Sequence, residues 1–158
     1  MRNQIFFHLL VALLFMSSCK NKSVSDTELK WLTIEEASEI GSGDNDKKFL
    51  VDVYTDWCGW CKVMDKKTFT DPAVIKYLNE NFYVVKFNAE QKEPATFKGK
   101  KYEWTPMGRN GVNQLGVELL QGRLSYPTIV YLNSKLEPID IRPGYKTPEQ
   151  LLAELQTL

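Results

Sequence analysis

Histidine is almost absent from this chain. The 158 residues hold one, His8, and only three cysteines. His8 lies inside an apolar stretch near the N-terminus, Ile5 to Met16, which reads as a segment apart from the folded domain. Without it, two cysteines in one C-x-x-C remain beside the isolated Cys19. A structural zinc site wants four ligands, usually Cys and His, so no metal is expected. Cysteine–histidine nucleophilic catalysis lacks its base for the same reason. An excess of charge is missing too. Lys+Arg and Asp+Glu both number 20, which argues against a nucleic-acid surface. No apolar run reaches the roughly 20 residues a membrane-spanning helix needs. Internal repeats and low-complexity segments are also lacking. What remains, 43% hydrophobic and 25% charged, suits one compact domain with a real core.

The N-terminal stretch has the form of a secretory signal. Arg2 precedes the apolar residues, and Ser17-Ser18-Cys19-Lys20 supplies small residues before a cleavage point. A cysteine directly after Ser18 resembles the lipobox of bacterial lipoproteins, although Met16 stands where that family prefers Leu, Val or Ile. The resemblance implies cleavage before Cys19 and lipid on its sulfur. The alternative is an ordinary cleaved signal with Cys19 lost or idle. Residues 1–18 are thus expected to be a signal peptide, 19–29 a polar tether and 30–158 the domain. His8 leaves with the signal.

Within the domain, Lys30-Trp31-Leu32 reads as a short first strand. Thr33 and Glu36 have capping-box spacing, with Ile34, Ala37 and Ile40 on one helical face and Gly41 placed to end that helix. Phe49 to Thr55 is a buried strand, and a helix runs from Cys58 to about Thr68. Asp71-Pro72 restarts a helix that extends to Asn81, with Asp as N-cap and Pro in the first turn. Phe82 to Phe87 is a second long strand, so strand–helix–strand forms a right-handed unit with parallel strands. Ala89 to Arg109 is the least readable part: residues 97–102 suggest a hairpin turning at Gly99, and Thr105-Pro106 interrupts any regular element there. A helix from Asn113 stops at Gly122. Thr128 to Leu132 and Ile139 to Ile141, joined by a short turn, should pair antiparallel. Thr147 and Gln150 cap a last helix whose core face is Leu151, Leu152 and Leu155.

The motif that stands out is Trp57-Cys58-Gly59-Trp60-Cys61-Lys62, delivered by the buried strand and opening a helix. A helix N-terminus offers unpaired N–H groups and partial positive charge, and both favour thiolate over thiol. With metal set aside, the pair is either redox-active or a static crosslink. So short a loop gives a crosslink little entropic value. Asp52 is costly to bury ionised in this apolar strand, so burial would raise its pKa; the alternative is a solvent-facing position.

These features together resemble the thioredoxin superfamily over roughly Trp31 to Leu158. The residues that carry the resemblance are Val51 to Lys62 as the active-site segment, Asp52 as the buried acid, and Lys86 beside it on the next strand. Tyr126-Pro127-Thr128 matches the cis-proline segment and Gly144 the glycine near the last strand's end. The stretch Cys61 to Pro72 is similar to thioredoxin-like domains of bacterial cell envelopes, among them the C-terminal domains of membrane disulfide reductases. The resemblance implies an α/β thioredoxin fold: a central mixed sheet with helices on both faces and an insertion before the cis-proline segment. It implies a thiol–disulfide oxidoreductase without a cofactor, acting as a reductant of protein disulfides.

In that chemistry Cys58 is the nucleophile, Cys61 the resolving thiol and Asp52, held by Lys86, the proton acceptor. Trp57, Gly59, Trp60, Tyr126, Pro127 and Thr128 are implied substrate contacts. A trans turn proline at 127 and simple packing of Trp57 are the plainer alternatives. Tyr102, Trp104 and nearby lysines either widen this surface or form a solvated hairpin. The implied partners are disulfide-containing envelope proteins and a membrane or envelope thiol donor, with lipid anchoring on the periplasmic side of a bacterial membrane. A soluble periplasmic or secreted protein is the alternative location. Oxidase or isomerase action, or a non-catalytic binding lipoprotein on the same scaffold, are the alternative functions. Two departures from thioredoxin, Trp60 in place of proline and the longer Ala89 to Arg109 segment, fall where partner choice would be set.

Overall fold

The computed structural model describes residues 27–44 and 46–158, so the expected signal peptide, Cys19 and most of the expected tether lie outside the described residues. The elements in chain order are β1 (Trp31–Leu32), α1 (Ile34–Ser42), β2 (Lys48–Tyr54), α2 (Gly59–Lys67), α3 (Pro72–Asn81), β3 (Phe82–Asn88), β4 (Ala95–Phe97), β5 (Lys100–Tyr102), β6 (Trp104–Thr105), β7 (Val112–Asn113), α4 (Gln114–Leu119), β8 (Thr128–Leu132), β9 (Pro138–Pro143) and α5 (Pro148–Leu155). Among the described residues no helix is long and apolar enough to cross a membrane.

The five-stranded sheet has the order β1-β3-β2-β8-β9. β1, β3 and β2 run parallel, while β8 and β9 run antiparallel to their neighbours. β2 sits in the middle because it is apolar on both faces. Its odd positions, Phe49, Val51 and Val53, join a cluster with Ile34 and Ala37 of α1 and Leu115 and Leu119 of α4. Its even position Leu50 joins Met64, Val74, Leu78 and Leu151 from α2, α3 and α5. Alternation therefore puts Asp52 on the face covered by α2. This is the mixed sheet with helices on both faces that the resemblance implies.

Helix starts obey local chemistry. Thr33 and Thr147 form capping boxes with Glu36 and Gln150, and the Asp71 carboxylate accepts from the Ala73 and Val74 amides. Each such cap contributes about 1 kcal/mol.

Gly41 behaves differently from the sequence expectation. α1 continues through it to Ser42 and is capped by Gly43. A Cβ at position 41 would run into the Leu136 side chain, so the glycine lets the helix approach the β8–β9 turn rather than ending the helix.

The segment after β3 forms two small hairpins, β4–β5 and β6–β7. The first turns through Lys98 and Gly99, both at positive φ, which matches the expected turn. Tyr102 is neither surface nor solvated hairpin. It is buried in the α1/α4 cluster, and its hydroxyl donates to Glu118 at 2.6 Å. The hairpin folds down onto the domain, so its inward side chains become core.

Candidate functional site

β2 ends at Tyr54, and Thr55-Asp56-Trp57 carries the chain to α2. Cys58 is the N-cap of that helix, and its sulfur accepts a hydrogen bond from the Cys61 amide at 3.1 Å. Cys58 and Cys61 are joined by a disulfide with Cα atoms 5.3 Å apart. The sulfur of Cys58 thus occupies the place where a helix concentrates unpaired donors and partial positive charge. Both cysteines are buried, Cys58 at 4% exposure and Cys61 at 2%. Gly59 opens the helix, and a Cβ there would meet nothing within 4 Å, so no packing demand excludes a larger residue.

Beneath α2, β2 and β3 pair in a register that sets Asp52 opposite Lys86. The Lys86 ammonium donates to Asp52 Oδ2 at 2.7 Å and also pairs with Asp65 of α2. Trp31, Tyr54 and Phe69 surround the same ammonium, with ring centroids 4.8–5.7 Å away. Asp52 is 1% exposed, and its Oδ1 has no hydrogen-bond partner. Burial is the largest influence on its carboxyl and pushes the pKa above the ordinary aspartate value; Lys86 pulls it back and Asp65 adds to the rise. Burial alone would lower Lys86, but the Asp52 and Asp65 carboxylates outweigh it and hold the ammonium above its ordinary value. The site therefore keeps a carboxyl out of water and ties it to α2 through Lys86 and Asp65.

The rim is aromatic. Trp57 and Trp60 are 60% and 63% exposed. Trp57 meets the Tyr126 ring edge-on at 6.0 Å, and Trp60 lies 5.4 Å from Tyr145. The Tyr126–Pro127 bond is cis. Trp60, Tyr126, Pro127, Gly144 and Tyr145 line one depression of about 320 Å³. Thr128 does not join this rim: it is buried, and its hydroxyl donates to the Ser125 carbonyl at 2.7 Å. Burial in this fold pushes the Tyr126 phenol up to about 12, with Glu90 adding to the rise.

The structure brings in three residues that sequence reasoning had not singled out. Asp65 is one, and its signal was present: it lies seven residues after Cys58 and four after Cys61, hence on their helical face. Glu90 is another, its carboxylate accepting the Trp57 indole N–H at 2.9 and 3.0 Å. Tyr145 is the third, and nothing in the local sequence marks it as a partner of Trp60.

Residues 36–158 match the family described as a thioredoxin-like domain. The chain is 30% identical over 114 residues to the thiol:disulfide interchange protein DsbD of Haemophilus ducreyi, covering 71% of this chain and 17% of that protein. DsbD of Haemophilus influenzae is 32% identical over 79 residues, covering 49% of this chain and 14% of that protein. The chain thus spans less than a fifth of the length of these relatives. Among solved structures, a putative disulphide-isomerase from Bacteroides thetaiotaomicron superposes with a TM-score of 0.58 at 25% identity, covering 82% of this chain and 92% of that one. A DsbH oxidoreductase gives the same TM-score at 16% identity, covering 82% and 83%. The chain belongs to the thioredoxin-like domain family.

Proposed function

We propose that this protein is a thiol–disulfide oxidoreductase that reduces disulfides of cell-envelope proteins. Residues 1–18 are then a signal peptide, and lipid on Cys19 tethers the domain of residues 30–158 through the short polar segment. The observation that carries the reading is the Cys58–Cys61 pair at the start of α2, the helix whose Asp65 shares Lys86 with the buried Asp52. In the reduced protein the Cys58 thiolate attacks one sulfur of a substrate disulfide. That S–S bond breaks, a mixed disulfide forms, and the first substrate sulfur leaves as a thiolate and takes a proton. Cys61 then gives its proton to Asp52 and attacks Cys58, releasing the second substrate thiol. Two electrons pass to the substrate, and the chain is left with the disulfide seen here. An envelope thiol donor restores the dithiol by the reverse exchanges. The DsbD relatives, named for thiol:disulfide interchange, support the exchange chemistry.

The test is reduction of insulin disulfides by the mature chain with dithiothreitol as the donor. Wild type should be active and Cys58→Ser inactive. Cys61→Ser should accumulate mixed disulfides through Cys58. Equal rates in wild type and Cys58→Ser would overturn the redox assignment. A reduction potential well above that of thioredoxin, roughly −270 mV, would move the protein to the oxidase or isomerase side. Cys19→Ala should lose membrane association, and unchanged fractionation would remove the anchor.

A further inference from the structure

The inserted segment after β3 helps build a second groove, which shares Tyr126 with the depression beside Trp60. It holds about 430 Å³ and runs from Trp57 to the β6–β7 turn. Three of the five exposed large apolar side chains among the described residues line it: Trp57, Met107 and Leu124. Glu90 fixes its geometry, accepting the Trp57 indole N–H on one side and the Asn110 amide of the β6–β7 turn at 3.5 Å on the other. The groove is therefore continuous with the tryptophan that precedes the candidate nucleophile. Arg109 also lines it and forms no ion pair among the described residues. The Glu90 carboxylate is already engaged. Tyr126 stands neutral between this groove and the depression beside Trp60.

We propose that this groove selects the polypeptide substrate. It takes a segment with a bulky apolar side chain next to its disulfide cysteine, seated on Met107 and Leu124, and then an acidic residue facing Arg109. The selection rests on the oxidoreductase reading for its consequence, because the groove ends at Trp57 beside Cys58. An apolar contact of this size discriminates through the lost contacts of a smaller side chain, and a guanidinium adds attraction for a carboxylate.

The test uses two short peptides, one with Cys-Leu-Glu and one with Cys-Ser-Lys, each joined to glutathione by a disulfide. The reduced protein converts each to free peptide thiol and glutathione, is itself oxidised to the Cys58–Cys61 disulfide, and is restored by dithiothreitol. The same peptides with S-methylcysteine, which cannot exchange, report binding by calorimetry. Wild type should favour the Leu-Glu peptide about tenfold in kcat/KM, with the difference in KM. Met107→Ser and Leu124→Ser should reduce that preference to about twofold while oxidised glutathione is turned over as before. Arg109→Glu should shrink the preference for the Leu-Glu peptide without abolishing it, because the apolar contact remains. All three side chains are on the surface, so the folded state is expected to survive each change.

Equal turnover and equal binding of the two peptides by wild type would overturn the groove and leave the oxidoreductase reading standing. Selective binding that Met107→Ser abolishes, with no turnover of any disulfide, would uphold the groove and overturn the chemistry. Neither binding nor turnover would overturn both.

Discussion

Two lysines in this molecule keep nearly the same company and face opposite surroundings. Lys86 pairs with Asp52 and Asp65 among the rings of Trp31, Tyr54 and Phe69. Lys100 pairs with Glu118 at 2.9 Å and lies 4.3 Å from the Tyr102 ring centroid. The difference is water. The Lys86 side chain is 24% exposed and its partner Asp52 2%, whereas Lys100 and Glu118 are 63% and 53% exposed. Screening makes the second cluster a minor contributor to stability. Desolvation makes the first a store of free energy whose balance shifts with protonation. An ammonium, a carboxylate and a ring are not enough to make a functional group; the loss of solvent is.

The largest break in this comparison is Lys86→Met. It leaves Asp52 buried with no cation and should cost about 3 kcal/mol at pH 7 in denaturant titrations. Asp52 has a folded pKa raised above its unfolded value. For such a group the folded state is favoured below the unfolded pKa, and that advantage is lost as pH rises through the folded one. Removing Lys86 pushes the folded value higher still. The deficit should therefore be greatest at neutral pH and shrink as pH falls below the folded value, where Asp52 holds its proton in both proteins. A deficit independent of pH would mean that Lys86 acts through packing alone.

Asp52→Asn is the next in size and opposite in sign. It removes the buried charge, and Lys86 keeps Asp65. Stability at pH 7 should rise by about 2 kcal/mol, and by the same linkage the gain should fade as pH drops toward the ordinary aspartate range. Insulin reduction should slow at the same time, because Cys61 loses the proton acceptor proposed for it. Greater stability with unchanged rate would assign Asp52 to structure and remove it from the chemistry.

How much of this contrast could be read from the chain depends on which residues carry it. Asp52 and Lys86 were legible: Asp52 interrupts an apolar strand six residues before Cys58, the family resemblance pointed to Lys86 on the next strand, and parallel pairing of β2 and β3 places them opposite each other. Asp65 hid among Lys62, Lys66 and Lys67, where a charge on an amphipathic helix reads as solvated until the sheet beneath it is known. The insertion was the least legible part. Its strands are two or three residues long, too short for periodicity to declare a face. Tyr102 is buried by docking against α1 and α4, a tertiary fact with no local signature. Gly41 shows the same limit, since a glycine at a plausible helix end was in fact admitting Leu136.

Lys100→Met is the smallest expected effect and the control that sharpens the others. It removes the same charge as Lys86→Met from a cluster with the same chemical parts. The Glu118 carboxyl is held below its ordinary value first by the Tyr102 hydroxyl and then by Lys100. Such a group adds stability above its unfolded pKa and loses it as pH falls through the folded one, so the variant should differ most above the carboxylate range. Tyr102 keeps its hydrogen bond to Glu118 when Lys100 is gone, so the core beneath is undisturbed. Thermal melts at low ionic strength should show at most a slight loss, and about 0.5 M salt should erase it. The Lys86→Met deficit should survive the same salt, because its carboxylate is out of reach of counterions. If both variants responded equally to salt, desolvation would not be what separates the two clusters.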